Sequence, residues 1–194
     1  MLVIFEGVDG SGKTTLIKKL KEIYHWKEIE WPGKQKDAKT FLEMVRQFRD
    51  EHKGEISDNK VYLMDRGGLG ELIYGTLENR LDTDPDDYVD LVRLWEESVL
   101  VFCRNNQAYE NAIARGEDGI AKDALMHKTI TDGYLDVVND CYGRQRDFFD
   151  HSFEQIITYD YSDKDHYPHC AQEVASAIIC ANFHRILKGG KDGH

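Results

Sequence analysis

Proline is scarce, three in 194 residues, which leaves no room for a long proline-rich, structureless segment. The four cysteines, Cys103, Cys141, Cys170 and Cys180, show no CxxC spacing, so they read as buried free thiols of a reduced, intracellular protein, not as a disulfide framework or a zinc site. No stretch approaches the ~18 apolar residues of a membrane span, and the apolar start Met1-Leu-Val-Ile-Phe5 is too short for a signal sequence. The expectation is a cytoplasmic protein without membrane contact. Positive charge is also short: 25 Lys and Arg stand against 36 Asp and Glu, a net charge of -11, with no segregated basic patch. That balance disfavours extended contact with DNA or RNA, although a small phosphate can still bind where a few cations and backbone amides converge. The run His166-Tyr-Pro-His169-Cys170 reads as a proline-containing loop, and no structural metal is expected.

What is present is a globular balance of 41% hydrophobic and 31% charged residues. The length fits one domain over 1–194, whose single core would bury roughly 70% of the surface its unfolded chain exposes. Short apolar runs at Leu2–Glu6, Lys27–Trp31, Val61–Met64, Val99–Cys103 and Gln155–Thr158 predict five strands. Helical spacing predicts helices over Thr14–Tyr24, Thr40–His52, Leu69–Asn79, Asp86–Glu97, Asn106–Ala114, Lys122–Gln145 and Ala171–Leu187. Strands alternating with helices imply an α/β, three-layer fold: a parallel sheet of about five strands, helices on both faces, and ligands at the carboxyl ends of the strands.

Gly7-Val8-Asp9-Gly10-Ser11-Gly12-Lys13-Thr14 matches GxxxxGK[ST], with an apolar strand before it and a helix after. In such a P-loop the glycines let backbone amides turn toward phosphates, Lys13 reaches the transferable phosphate, and Thr14 ligates Mg2+. Gly7, Asp9, Gly10, Ser11, Gly12, Lys13, Thr14 and Thr15 are therefore the candidate ATP site. Asp65-Arg66 ends the third strand, where a carboxylate can hold Mg2+ or its waters and a guanidinium can clamp a phosphate; the spacing alone fits a surface ion pair equally well. The DxxG used by GTPases is present as Asp65-Arg-Gly-Gly68, but NKxD is absent because Asn59-Lys60 runs into Val61-Tyr62.

Phe5-Glu6-Gly-Val-Asp9-Gly-Ser-Gly-Lys-Thr-Thr15, Asp65-Arg66 with Tyr74, and the segment from Asn106 to Asp136 together resemble the thymidylate kinase family. The resemblance runs in pieces over residues 1 to about 140. It implies that Asp9 contacts the sugar of the acceptor, Arg66 its phosphate, and that Tyr74 lines the acceptor pocket. It also implies a lid near 115–122 and a homodimer. Where the family repeats arginines through the lid, this chain has Asn111, Arg115 and Gly119, with Lys122 as a helper, and Gly10 leaves the P-loop without an arginine. Arg115 thus becomes the critical lid cation. Phe48 is the candidate base-stacking aromatic, against the plainer role of core packing.

The expected activity is Mg-dependent transfer of the ATP γ-phosphate to a deoxynucleoside monophosphate, thymidylate leading, with Lys13, Asp65, Arg66 and Arg115 as catalytic residues. The alternatives are a nucleoside kinase or a kinase of a modified base in DNA on the same fold, and, from another class, a non-catalytic nucleotide-binding regulator. The C-terminal 30 or so residues carry no functional reading.

Overall fold

The computed structural model describes residues 1–81, 89–116, 123–143, 155–161 and 167–189. Five strands, β1 (Leu2–Glu6), β2 (Lys27–Glu28), β3 (Tyr62–Asp65), β4 (Ser98–Arg104) and β5 (Gln155–Asp160), form one sheet in the order β2-β3-β1-β4-β5. Every pairing is parallel, with β1 at the centre in register Val3 to Leu63 on one side and Val3 to Val99 on the other. Eight helices accompany them among the described residues: α1 (Lys13–Tyr24), α2 (Ala38–Glu51), α3 (Lys53–Ser57), α4 (Leu69–Leu77), α5 (Val89–Glu96), α6 (Ala108–Ala114), α7 (Ala124–Gly143) and α8 (Tyr167–Gly189).

Each strand residue of β1 is buried, which is what a parallel strand covered on both faces requires. Alternate side chains then feed two cores, one on each face of the sheet, where a single core was expected. Leu2 and Ile4 pack with Phe41 and Phe48 of α2, Leu91 and Trp95 of α5, and Tyr134 of α7. Val3 and Phe5 pack on the opposite face with Leu16 and Leu20 of α1 and Val174 and Ile178 of α8. These two layers of helices around one sheet are the α/β sandwich that the sequence predicts.

Several boundaries differ from expectation. The second strand is only two residues long, because after Ile29, whose N–H still bonds the Leu63 carbonyl at 2.8 Å, the chain leaves the sheet edge and runs into Pro32, which has no N–H to donate. The short α3 was not expected; its Ser57 hydroxyl bonds back to the Lys53 carbonyl at 2.7 Å. The helix α2 begins two residues early because the Asp37 carboxylate accepts the Thr40 N–H at 2.8 Å, an N-cap that its own side chain supplies. The first turn of α8 reaches back past Ala171 to include Pro168, which a first helical turn tolerates. Residues 117–122 of the expected lid, with Gly119 and Lys122, lie outside the described residues, as does His166.

Candidate active site

The site lies where β1, β3 and β4 end. Glu6 terminates β1, and the chain turns through the glycine loop into α1, whose N-terminal residue is Lys13. Two glycines of this loop are demanded by their surroundings. A Cβ on Gly7 would stand 2.1 Å from the Cys103 carbonyl oxygen of β4, and one on Gly10 would stand 1.9 Å from the Ala108 carbonyl oxygen at the start of α6. Gly10 also has φ +86, so the loop and α6 touch through bare backbone, and no side chain, arginine included, fits there.

Lys13 is buried, 6% exposed, and its ammonium donates to the carbonyls of Gly7 and Val8 at 2.8 and 2.9 Å. Burial first, and the Arg66 charge second, hold its pKa below the ordinary lysine value, while Asp9 and Asp65 oppose the shift. Thr14 bonds through Oγ1 to Asp65 Oδ2 at 2.9 Å, so the P-loop hydroxyl and the acid at the end of β3 meet. The other oxygen, Asp65 Oδ1, is buried without a hydrogen-bond partner among the described residues, as is Ser11 Oγ. A buried carboxylate oxygen beside a threonine hydroxyl is a donor set suited to Mg2+, which takes one or two protein oxygens and completes its shell from substrate phosphates and water. Among the described residues no cluster of three or more His, Cys, Asp or Glu side chains forms a self-sufficient metal cage.

A cavity of about 340 Å³ opens over this loop, lined by Asp9, Gly10, Gly12, Lys13, Thr14, Thr15, Asp65, Arg66 and Arg115. Arg115 ends α6, exposed, with its Nε donating to the Asn111 carbonyl at 3.3 Å. Asn111 itself donates to the Gly10 carbonyl at 3.5 Å, so the residue standing where the resemblance expects an arginine instead ties α6 to the loop.

A second cavity of about 300 Å³ is lined by Trp31, Gly33 and Lys34 on one side and by Gly70, Glu71, Tyr74, Glu78 and Arg80 on the other. Asp9 and Arg66 line both cavities. They form an ion pair, the Arg66 guanidinium lies 5.8 Å from the Tyr74 ring centroid, and the Tyr74 hydroxyl is 3.4 Å from Asp9 Oδ2. Burial, then the Asp9 charge, push the Tyr74 phenol above its ordinary pKa, so it stays a donor. Phe48 is 2% exposed and belongs to the core; it meets Trp31 of the cavity wall edge to face at a centroid distance of 5.1 Å.

Sequence reasoning missed several participants. Glu6 is fully buried and accepts the Gly67 and Gly70 N–H groups at 2.8 and 3.2 Å and the Tyr134 hydroxyl at 2.9 Å, thereby shaping the turn that presents Arg66. The available signal was a carboxylate closing an otherwise apolar strand. His127 of α7 lies 3.2 Å from the Asp9 carbonyl, and Arg80 bonds Glu71, Glu78 and the Gln35 carbonyl; nothing local in the sequence marks either.

No family model and no curated protein matches the sequence. Solved structures do. The YorR protein of Bacillus subtilis, solved in complex with phosphorylated GDP, superposes with a TM-score of 0.61 at 17% identity over 100% of this chain and 99% of that one. Thymidylate kinase from Candida albicans gives 0.59 at 14% identity over 93% and 92%, and deoxyadenosine kinase from M. mycoides, with dCMP and dCDP bound, gives 0.54 at 12% over 92% and 98%. With the five-stranded parallel sheet and the glycine loop between β1 and α1, these likenesses show that the chain has the P-loop kinase fold.

Proposed function

We propose that the protein is a Mg-dependent phosphotransferase that moves the γ-phosphate of ATP onto the phosphate of a deoxynucleoside monophosphate. One observation carries this reading: the Asp9–Arg66 pair is a wall common to a phosphate-type cavity built on the P-loop and to a second cavity with aromatic walls. A donor nucleotide in the first and an acceptor in the second would place their phosphates on either side of one guanidinium.

The residues then divide the work. Lys13 releases its loop carbonyls for the phosphates of ATP, and the amides of the glycine loop orient them. Arg66 faces the acceptor phosphate, and Asp9 is within reach of a sugar hydroxyl on the same ligand. Arg115 brings a cation from the lid side to charge that grows on the moving group. Thr14 and Asp65 would hold Mg2+, which neutralises the phosphate charge that otherwise keeps donor and acceptor apart. No general base is required, because a phosphate acceptor is already ionised near neutral pH. The neighbours support the reading in kind, being kinases of nucleosides or nucleotides. Thymidylate in particular draws its support from the family resemblance, since the base end of the second cavity is built from other residues than the motif.

The test is ADP release from ATP and Mg2+ against a panel of nucleoside monophosphates, nucleosides and short DNA. Turnover on a monophosphate is the expected result. Activity restricted to a nucleoside or to DNA would keep the phosphoryl transfer and overturn the acceptor, and silence throughout would leave a nucleotide-binding regulator.

A further inference from the structure

We infer that Glu71 selects the base of the acceptor, favouring monophosphates whose base carries an exocyclic amino group (adenine, cytosine or guanine) over thymidylate and uridylate. The inference rests on the monophosphate-kinase reading and deepens it at the base end of the second cavity.

Glu71 sits in the first turn of α4 and lines that cavity, with its side chain 11% exposed. Its two oxygens have different fates. Oε1 accepts from Arg80 Nη1 at 2.7 Å and from the Gln35 backbone N–H at 3.1 Å. Oε2 takes no hydrogen bond from any described residue, and the side chain keeps part of its surface exposed beside the cavity it lines. The carboxylate cannot swing away, because Arg80 is itself held by Glu78 and the Gln35 carbonyl, and Glu78 by Lys34 at 2.9 Å. The cavity therefore presents one fixed acceptor oxygen, positioned by Arg80 and the Gln35 backbone, which Glu78 and Lys34 brace in turn.

An ionised carboxylate can only accept, and once a bound base displaces the water from Oε2 an unmatched acceptor is costly. A ligand that brings an N–H to Oε2 satisfies it, and one that brings a carbonyl oxygen adds repulsion. The amino group of adenine, cytosine or guanine meets the first condition. Thymine and uracil have a single ring N–H on that edge, flanked by two carbonyl oxygens, so an approach to the N–H draws the carbonyls toward the same negative charge. Trp31 and Tyr74 are the flat walls against which any of these bases could lie, and they do not discriminate among them.

The experiment measures kcat/KM for dAMP, dCMP, dGMP, dTMP and dUMP, with saturating ATP, for the natural protein and for Glu71→Gln, whose amide can donate as well as accept. At least one amino-bearing monophosphate should exceed dTMP and dUMP by about tenfold or more, and Glu71→Gln should erase most of that advantage through KM, leaving KM for ATP unchanged. A natural protein that prefers dTMP or dUMP overturns the inference while the kinase reading stands, as does a Glu71→Gln protein with unaltered base ratios. Failure to turn over any monophosphate defeats the kinase reading and the inference with it. Should Glu71→Gln not fold, the panel on the natural protein decides alone.

Discussion

The Arg66 guanidinium donates to one oxygen of the Asp9 carboxylate while the Tyr74 hydroxyl stands 3.4 Å from the other, so the P-loop acid gathers the end of β3 and the face of α4 into one cluster. Arg66 is thereby aimed before any ligand arrives. Replacing it should chiefly impair use of the acceptor: Arg66→Ala is expected to lower kcat/KM for the monophosphate by about 10²–10³-fold, with ATP binding little changed. Arg66→Lys should recover only a small part, because an ammonium cannot span the Asp9 carboxylate and a phosphate as a planar fork does. An unchanged acceptor KM and kcat in Arg66→Ala would remove the role assigned to it.

Lys13→Ala should abolish turnover, and a near-normal rate would contradict the P-loop assignment.

The titration of the same lysine gives a separate test. Burial and Arg66 place its pKa below 10.5 in the free protein, and a bound phosphate opposes that shift. The alkaline fall in kcat/KM for ATP should therefore come at lower pH than the alkaline fall in kcat, since the first reports the free enzyme and the second the complex. Coincident limbs would show that Lys13 does not govern either. For stability the sign is the reverse of a salt-bridged lysine: the unfolded chain holds this proton more tightly, so the penalty is present below the folded pKa and is relieved as pH rises from there toward 10.5.

Arg115→Ala should lower kcat by about 10²–10³-fold with ATP affinity held within a few fold, as for a cation that acts on charge developed in the transition state. Gly10→Arg should not rescue that variant, because the new Cβ would meet the Ala108 carbonyl at 1.9 Å in a backbone conformation that side chains avoid. Rescue of turnover would mean that the loop and α6 separate more easily than their packing indicates.

Tyr134→Phe removes the hydroxyl donated to Glu6 Oε2 at 2.9 Å and leaves a buried carboxylate oxygen short of a donor. A loss of about 1–3 kcal/mol in urea-unfolding free energy is expected. Because Glu6 also accepts from the turn after Arg66, a parallel rise in the acceptor KM should accompany it, and a purely structural tyrosine would leave that KM alone.

The parts of the molecule legible in the sequence were those whose physics is local. β1 matched residue for residue because a short apolar run with a glycine stop leaves little choice of bounds, and the helical spacing of Phe41, Met44, Val45 and Phe48 marks the inward face of α2, where all but the partly buried Met44 are buried. The meeting of Thr14 with Asp65 also followed from topology, since neighbouring parallel strands bring their carboxyl ends together. What escaped were the long-range partners. Arg80 finds Gln35 across 45 residues and His127 finds Asp9 across 118, and neither separation leaves a mark on composition or periodicity. Phe48 shows the complementary difficulty: an aromatic residue on an amphipathic helix looks the same whether it faces a cavity or, as here, stands behind the tryptophan that lines one.

Arg66 also has a positive backbone angle, φ 74, which an L residue adopts at a cost of about 1–2 kcal/mol. Arg66→Gly would relieve that backbone but would also remove the guanidinium paired with Asp9, so the two effects on heat resistance oppose each other. The uncomfortable conformation is thus kept at a residue whose side chain, in the proposed reaction, faces the acceptor phosphate, so ease of the backbone and turnover ask for different residues at this one position.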